Sequence, residues 1–285
     1  MLHKSVMEEC LYMLDPHDPR MAAGAQDIAN CRVRTIKSGD LIEVESFPMH
    51  RIGSASHRRR REASCTSAAQ QEVNKRNTAK AIMRYLNANF GGGDIAITCT
   101  YAEGALPESV ELAQKNVSAY IRRLRRLFIR LQKAGVIPEG EELKYLYVSE
   151  YATKGGAPVR IHHHVICNIP DRDAAEKCWR AGRANADRLQ PDKYGFTALA
   201  KYLSKAPAHK RRWDKSRNLK APQITQADKK LSRRRMMLIA DDVEDNAKEI
   251  FMRLYPGCEY LDCEVRVSEW VQGAYIYARL RRKRD

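Results

Sequence analysis

The chain has no Gly-x-x-x-x-Gly-Lys-Ser/Thr stretch, so it carries no phosphate loop of the kind that powers a helicase or ATPase. Its eight cysteines include no Cys-x-x-Cys pair, and several of them, Cys99 and Cys167 among them, fall at apolar positions of expected strands and helices. That pattern argues against a zinc ribbon or a disulfide framework and predicts reduced thiols in a cytosolic protein. No stretch approaches the run of about 18 apolar residues that a membrane-spanning helix needs. The opening residues, Met1 to Ser5 and onward, lack the apolar core of a signal peptide, and no membrane partner is expected. Acidic residues are the minority charge: 35 Asp and Glu stand against 51 Lys and Arg, a formal net charge of +16.

The basic excess is clustered. It concentrates at Arg58, Arg59, Arg60 and Arg61, at Arg122 to Arg130, at Lys210 to Arg212, at Arg233 to Arg235 and at Arg281 to Arg284. Clusters of this kind attract a polyanion, because phosphates neutralised by Lys and Arg release their condensed counterions. Nucleic acid is therefore the expected partner, ahead of a set of merely solvated basic faces. A length of 285 residues with 44% apolar content buries a sizeable core, which suits one catalytic domain with extensions.

Residues 1–45 show little periodicity and read as a loosely structured lead-in. A helix is expected from Ala68 to Phe90, begun by the hydroxyls of Ser64 to Ser67 and stopped by Gly91-Gly92-Gly93. Asp94 to Tyr101 alternates as a strand, with Thr98 and Thr100 on the face away from Ile95, Ile97, Cys99 and Tyr101. From Glu108 to Ala134 an apolar stripe through Ala113, Val117, Tyr120, Leu124, Leu127 and Leu131 predicts a long helix. Lys144 to Tyr151 and Val159 to Asn168 read as a hairpin across Thr153-Lys154-Gly155-Gly156. A short helix from Asp171, a strand from Ala184 to Leu189 and a helix from Tyr194 to Lys205 follow. The order is β-α-β-β-α-β and then a helix: an α+β fold with an antiparallel sheet, helices on one face and the other face left for a ligand. Further on, Asp241 to Tyr255 predicts an amphipathic helix, and Tyr260 to Val267 with Gly273 to Leu280 a hairpin. The expected organisation is a lead-in over 1–67, a catalytic domain over 68–207 and a basic loop with a helix-hairpin extension over 208–285.

Within the strand Arg160-Ile161-His162-His163-His164-Val165-Ile166-Cys167-Asn168, alternation puts Arg160, His162 and His164 on one face and Ile161, Val165 and Cys167 on the other. The two imidazoles then stand about 7 Å apart at their Cα atoms, a spacing that one divalent cation bridges. His163 has the apolar parity and reads as a core or boundary histidine.

That strand, the element order and the later Lys201-Tyr202-Leu203-Ser204-Lys205 resemble the HUH endonuclease superfamily. The similarity is greatest to the replication-associated (Rep) proteins of rolling-circle replication, in a bacterial set distantly like the filamentous-phage gene II replication protein. Asn87 to Phe90, Val148 to Tyr151, Arg211 to Leu219 and Tyr275 to Arg279 add to the resemblance, which spans roughly residues 50 to 282. It departs at His163, where the family usually has an apolar residue between the two histidines.

The resemblance implies a ferredoxin/RRM-like palm and metal-dependent nicking and joining of single-stranded DNA in the cytoplasm of a bacterial host. It makes His162 and His164 metal ligands for Mg²⁺ or Mn²⁺, with Glu150 the carboxylate to add. Whether Glu150 reaches them depends on the hairpin, since an odd number of loop residues sets it opposite His162 and an even number opposite Ile161. Tyr202 is the expected nucleophile and Lys205, one turn on, its activating cation, because a free phenol ionises only near pH 10. Arg58 to Arg61, Arg160, Arg211, Arg212, Trp213 and Arg217 are the expected DNA contacts. Single-stranded DNA at a replication origin is the implied substrate, and a host helicase and polymerase are the implied partners. A relaxase or single-strand transposase of the same superfamily would use the same atoms. A non-enzymatic DNA-binding protein would keep the charge without needing Tyr202.

Overall fold

The computed structural model describes residues 28–50, 68–151, 160–204, 213–228, 230–267 and 274–283. In chain order the elements are Ile28–Ser38 (β1), Leu41–His50 (β2), Ala68–Asn89 (α1), Ile95–Tyr101 (β3), Val110–Lys133 (α2), Tyr145–Glu150 (β4) and His162–Cys167 (β5). They continue with Arg172–Lys177 (α3), Gly182–Arg188 (β6), Thr197–Leu203 (α4), Trp213–Lys215 (β7), Gln223–Ala227 (β8), Arg233–Asp241 (α5), Val243–Leu254 (α6), Cys258–Val267 (β9) and Ala274–Arg282 (β10). Two antiparallel sheets and six α-helices make an α+β fold. The chain divides into two compact units, residues 68–221 and residues 1–67 with 222–285. No helix among the described residues is long and apolar enough to cross a membrane.

In the unit 68–221 the strand order is β6-β3-β5-β4-β7, antiparallel throughout. Alternate residues of β3 are buried, and Ile95, Ile97, Cys99 and Tyr101 form one core with Val165 and Cys167 of β5 and with Val117, Tyr120, Leu124 and Leu127 of α2. Each large apolar side chain so buried contributes about 1.5–3 kcal/mol. The Ser109 side chain caps the start of α2 by accepting from the Leu112 amide at 3.2 Å. The helix ends where Gly135 turns into the left-handed region at φ +72, with Gly135 N–H donating to Gln132 O and Val136 N–H to Leu131 O. Asp171 caps α3 in the same way, accepting from Ala174 N–H at 3.0 Å.

The second face of this sheet is roofed in part. Leu146, Val148 and Ile166 on it are fully buried. Helices α1 and α4 pack together above it, with Phe196 N–H donating to Asn87 Oδ1 at 2.9 Å and Thr197 Oγ1 to Met83 Sδ at 3.1 Å. The turn into α4 requires Gly195, at φ +64, because a Cβ there would meet Asn87 Oδ1 at 2.2 Å. An apolar patch of this size does not stay in water, so a face expected to be left wholly to a ligand is instead divided between two helices and a site. Trp213 to Lys215, read from sequence as basic loop, pair with β4 as a fifth strand. Ser216 ties that edge down, its Oγ accepting from Tyr145 N–H at 3.1 Å while its own N–H donates to Tyr145 O at 2.9 Å.

In the other unit the order is β8-β1-β2-β10-β9, again antiparallel. Cys31, Val33, Ile42, Val44, Ile276 and Leu280 pack with Met236 and Ile239 of α5 and Phe251 of α6. The expected C-terminal helix and hairpin are α6, β9 and β10. The expectation of a loosely structured lead-in fails over 28–45, which form β1 and the first half of β2. The reason is that Leu41 to Phe47 are buried without a break, on both faces, and three of those residues, Glu43, Glu45 and Ser46, are polar. Glu43 accepts from Tyr277 Oη at 2.7 Å, and Glu45 pairs with Arg34 at 3.5 Å. Helix α5 escaped sequence reading because three arginines, Arg233 to Arg235, fill its first turn, where cations oppose the helix dipole.

Candidate active site

Strand pairing fixes the site. In β5 the alternation sends His162 and His164 to the face away from α2. The β4 register sets Glu150 directly opposite His162, and the β3 register sets Thr98 opposite His164. Facing residues share a face, so the hairpin has the odd-loop register that brings the carboxylate to the histidines. Glu150 Oε2 lies 3.0 Å from His162 Nε2, and the two imidazole centroids are 4.9 Å apart. One ligand atom from each of Glu150, His162 and His164 falls within 4.8 Å of the others.

Hydrogen bonds select which nitrogens face inward. His162 Nδ1–H donates to Arg160 O at 3.0 Å, which leaves Nε2 toward Glu150. His164 Nδ1 is 3.2 Å from Thr98 Oγ1, while its Nε2 is buried and has no hydrogen-bond partner among the described residues. A buried polar atom left unpaired is costly, and a lone pair held toward a carboxylate and a second imidazole is what a cation needs. Charge states agree with this arrangement. The bond from Glu150 pulls the His162 pKa up against burial. Burial first, then the neighbouring His162, pushes His164 down to about 4, with Glu150 opposing, so His164 is a neutral donor at physiological pH. Two imidazoles and a carboxylate therefore fit a divalent cation.

His163 points the other way. It is fully buried, with Nδ1 2.6 Å from Ser149 Oγ and Nε2 2.8 Å from Tyr101 Oη, and its ring meets Trp179 edge-on at 5.7 Å. Burial, and after it the charges of His162 and His164, lowers its pKa to about 3. Both nitrogens are used, so His163 has no lone pair for a metal.

Helix α4 carries Tyr202, 47% exposed, with its ring 5.4 Å from that of His164 at 74°. Beside this ring pair, under the helix, lies a cavity of about 320 Å³, bounded by Thr98, His164 and Ile166 on the sheet, by Asp187 and Leu189 at the end of β6 and by Leu199 and Tyr202 on the helix.

Of the expected DNA contacts, Arg160 is exposed, with its Nη2 donating to Tyr101 O at 2.7 Å and its own carbonyl accepting from His162 Nδ1. Trp213 sits opposite Val148, on the histidine face, with its ring 6.3 Å from that of Tyr85. Arg217 is exposed in the turn after β7. Arg58, Arg59, Arg60, Arg61, Lys205, Arg211 and Arg212 lie outside the described residues. Thr98 was missed as a site residue: its face was legible, but its pairing with His164 joins strands 66 residues apart.

No curated protein and no solved structure matches the chain. Residues 94–207 match the model of a family of replication-associated proteins, those of the ORF2 and gene II protein type, and that segment, β3 through α4, contains Glu150, His162, His164 and Tyr202.

Proposed function

We propose that this protein is an HUH-type single-strand endonuclease and ligase that initiates rolling-circle replication. The observation that carries the reading is the buried Nε2 of His164, without a partner among the described residues, in a cluster with His162 and Glu150 and beside the exposed ring of Tyr202. The match of this segment to a replication-associated family supports it.

A divalent cation, Mn²⁺ or Mg²⁺, held by His162, His164 and Glu150 would supply positive charge at the scissile phosphate and polarise a phosphoryl oxygen. The chain's own residues do the rest. Tyr202 gives up its proton, and its oxygen bonds to phosphorus as the bond to the 3′ oxygen breaks. That oxygen takes a proton and leaves as a 3′-hydroxyl, while the 5′ phosphate stays on Tyr202 as an ester. One phosphodiester replaces another of similar energy, so the reverse step joins strands without a nucleotide triphosphate. Lys205 supplies the cation that favours the phenolate. Trp213 offers a ring for base stacking on the same face. The freed 3′ end primes a host polymerase, and a host helicase opens the duplex.

The test is incubation of the full chain with Mn²⁺ and end-labelled single-stranded origin DNA, followed by a denaturing gel. A labelled band shifted to protein mass is expected. Binding without any adduct, over a range of sequences and metals, would favour a non-enzymatic DNA-binding protein.

A further inference from the structure

The face of α2 turned away from its core carries a row of cations. Lys115, Arg122, Arg125, Arg126, Arg130 and Lys133 are all exposed, and none forms an ion pair with a described residue. From Leu112 to Pro138 the chain has no acidic residue, the nearest on this face being Glu111 in the first turn. At 100° per residue the six occupy an arc of about 140°, and at 1.5 Å per residue they extend about 27 Å. That is the length of about 8 base pairs at 3.4 Å per phosphate along a strand.

The row lies on the far side of the sheet from the histidines. Val117, Tyr120, Leu124 and Leu127 of α2 pack on Cys99, Tyr101, Val165 and Cys167, the strand positions of opposite parity to Thr98, His162 and His164. The diameter of the helix, about 10–12 Å, then separates the sheet from the cations. A single strand bound at the histidine face cannot also lie on this row without rounding the edge of the sheet.

We propose that the outer face of α2 is a second nucleic-acid surface, which holds the phosphate backbone of a DNA duplex while the histidine face works on a single strand. It rests on the proposed function only in taking DNA as the polyanion. The choice of duplex follows from what the row lacks. Single strands are gripped by aromatic rings on which their bases stack, and both aromatics of the helix, Tyr120 and Phe128, are buried. A duplex has its bases stacked already and presents only phosphates. An anionic membrane would call for apolar side chains to insert, and only two large ones are exposed on this helix, Ile129 among the cations and Leu112 at its start.

The test compares the full-length wild type with the triple variant Arg122→Gln/Arg126→Gln/Arg130→Gln, using a short duplex, a short single strand and phosphatidylserine vesicles. The variant is expected to bind the duplex on the order of 100-fold more weakly near 0.1 M salt, with the log–log salt slope smaller by about 3. Its single-strand affinity and cleavage are expected to match the wild type. The corresponding triple Lys variant, which keeps the charges, is expected to restore duplex binding; failure to do so in a variant whose circular dichroism matches the wild type would overturn the proposal. An unchanged duplex slope, an equal loss on the single strand, or a loss confined to the vesicles would each overturn the proposal. Absence of cleavage by the wild type would instead count against the nicking reading and leave these binding comparisons intact.

Discussion

His163 and His164 are chain neighbours that point to opposite faces of one sheet, and both are buried. On the α2 face, His163 has a partner for each nitrogen, Ser149 and Tyr101. On the α4 face, His164 has Thr98 on one nitrogen and, among the described residues, nothing on the other. Burial depresses both pKa values, to about 3 and about 4, so depth and charge state do not separate them. Satisfaction does. A core histidine closes its hydrogen bonds within the fold, whereas a ligand histidine keeps one lone pair aimed at a carboxylate and a second imidazole.

The largest expected effect breaks the comparison at the α4 side. Tyr202→Phe is expected to abolish cleavage altogether while stability falls by no more than about 1 kcal/mol, because the ring is retained and a single hydroxyl is lost. Full cleavage by this variant would remove Tyr202 from the chemistry. Next come the two faces side by side. His162→Ala and His164→Ala are each expected to lower single-strand cleavage at least about 100-fold and to weaken Mn²⁺ binding in calorimetry. His163→Ala is expected to cost about 3 kcal/mol of stability by leaving Ser149 and Tyr101 unpaired around a cavity, with cleavage retained in the folded fraction. Inactivity of the His163 variant at a temperature where it is folded, with His162→Ala active, would reverse the assignment of faces.

Gly195→Ala sharpens the α4 side. A Cβ at a left-handed turn would press on Asn87, so a loss of about 1–3 kcal/mol is expected. A lower cleavage rate should accompany it because α4 carries Tyr202; a rate equal to wild type would show that α4 need not be held there. The remaining effect is on pH. His163 is held neutral down to about 3, whereas an unfolded imidazole takes a proton near 6.5. Between those values the unfolded chain binds the extra proton, so stability falls as pH falls from about 6.5. His164 acts with the same sign down to about 4. His162, raised by Glu150, acts with the opposite sign, stabilising below 6.5 and losing that contribution as pH rises through its folded value. Thermal melts in chelator should show a flatter acid limb for His163→Phe, and an identical limb would contradict the buried neutral state.

Alternation alone located the two faces of β5, because each residue's side follows from its parity and the strand is rich in markers. The stripe of α2 and the sequence from β3 to α4 were legible for the same reason. Register was not. Whether Glu150 met His162 depended on the loop count and the pairing of β4 with β5, and the link from Thr98 to His164 depended on β3 lying beside β5. Both are long-range facts with no local signal. Strands β1 and β2 did carry a local signal, the alternation of Cys31-Arg32-Val33-Arg34 and Ile42-Glu43-Val44-Glu45; what no local pattern gave is that the charged side, with Arg34, Glu43 and Glu45, is buried as well. The roof over the second face was hidden because α1 and α4 meet through Met83, Asn87, Gly195 and Phe196, contacts between segments more than a hundred residues apart.

The central claim is that the α4 side of the sheet performs phosphoryl transfer through Tyr202. The most direct measurement is mass spectrometry of peptides from the full chain after reaction with single-stranded origin DNA and Mn²⁺. The account predicts a nucleotide attached to Tyr202 and to no other residue. A nucleotide on Tyr194 would move the chemistry two helical turns away, and unmodified tyrosines throughout, with the DNA still bound, would contradict the claim.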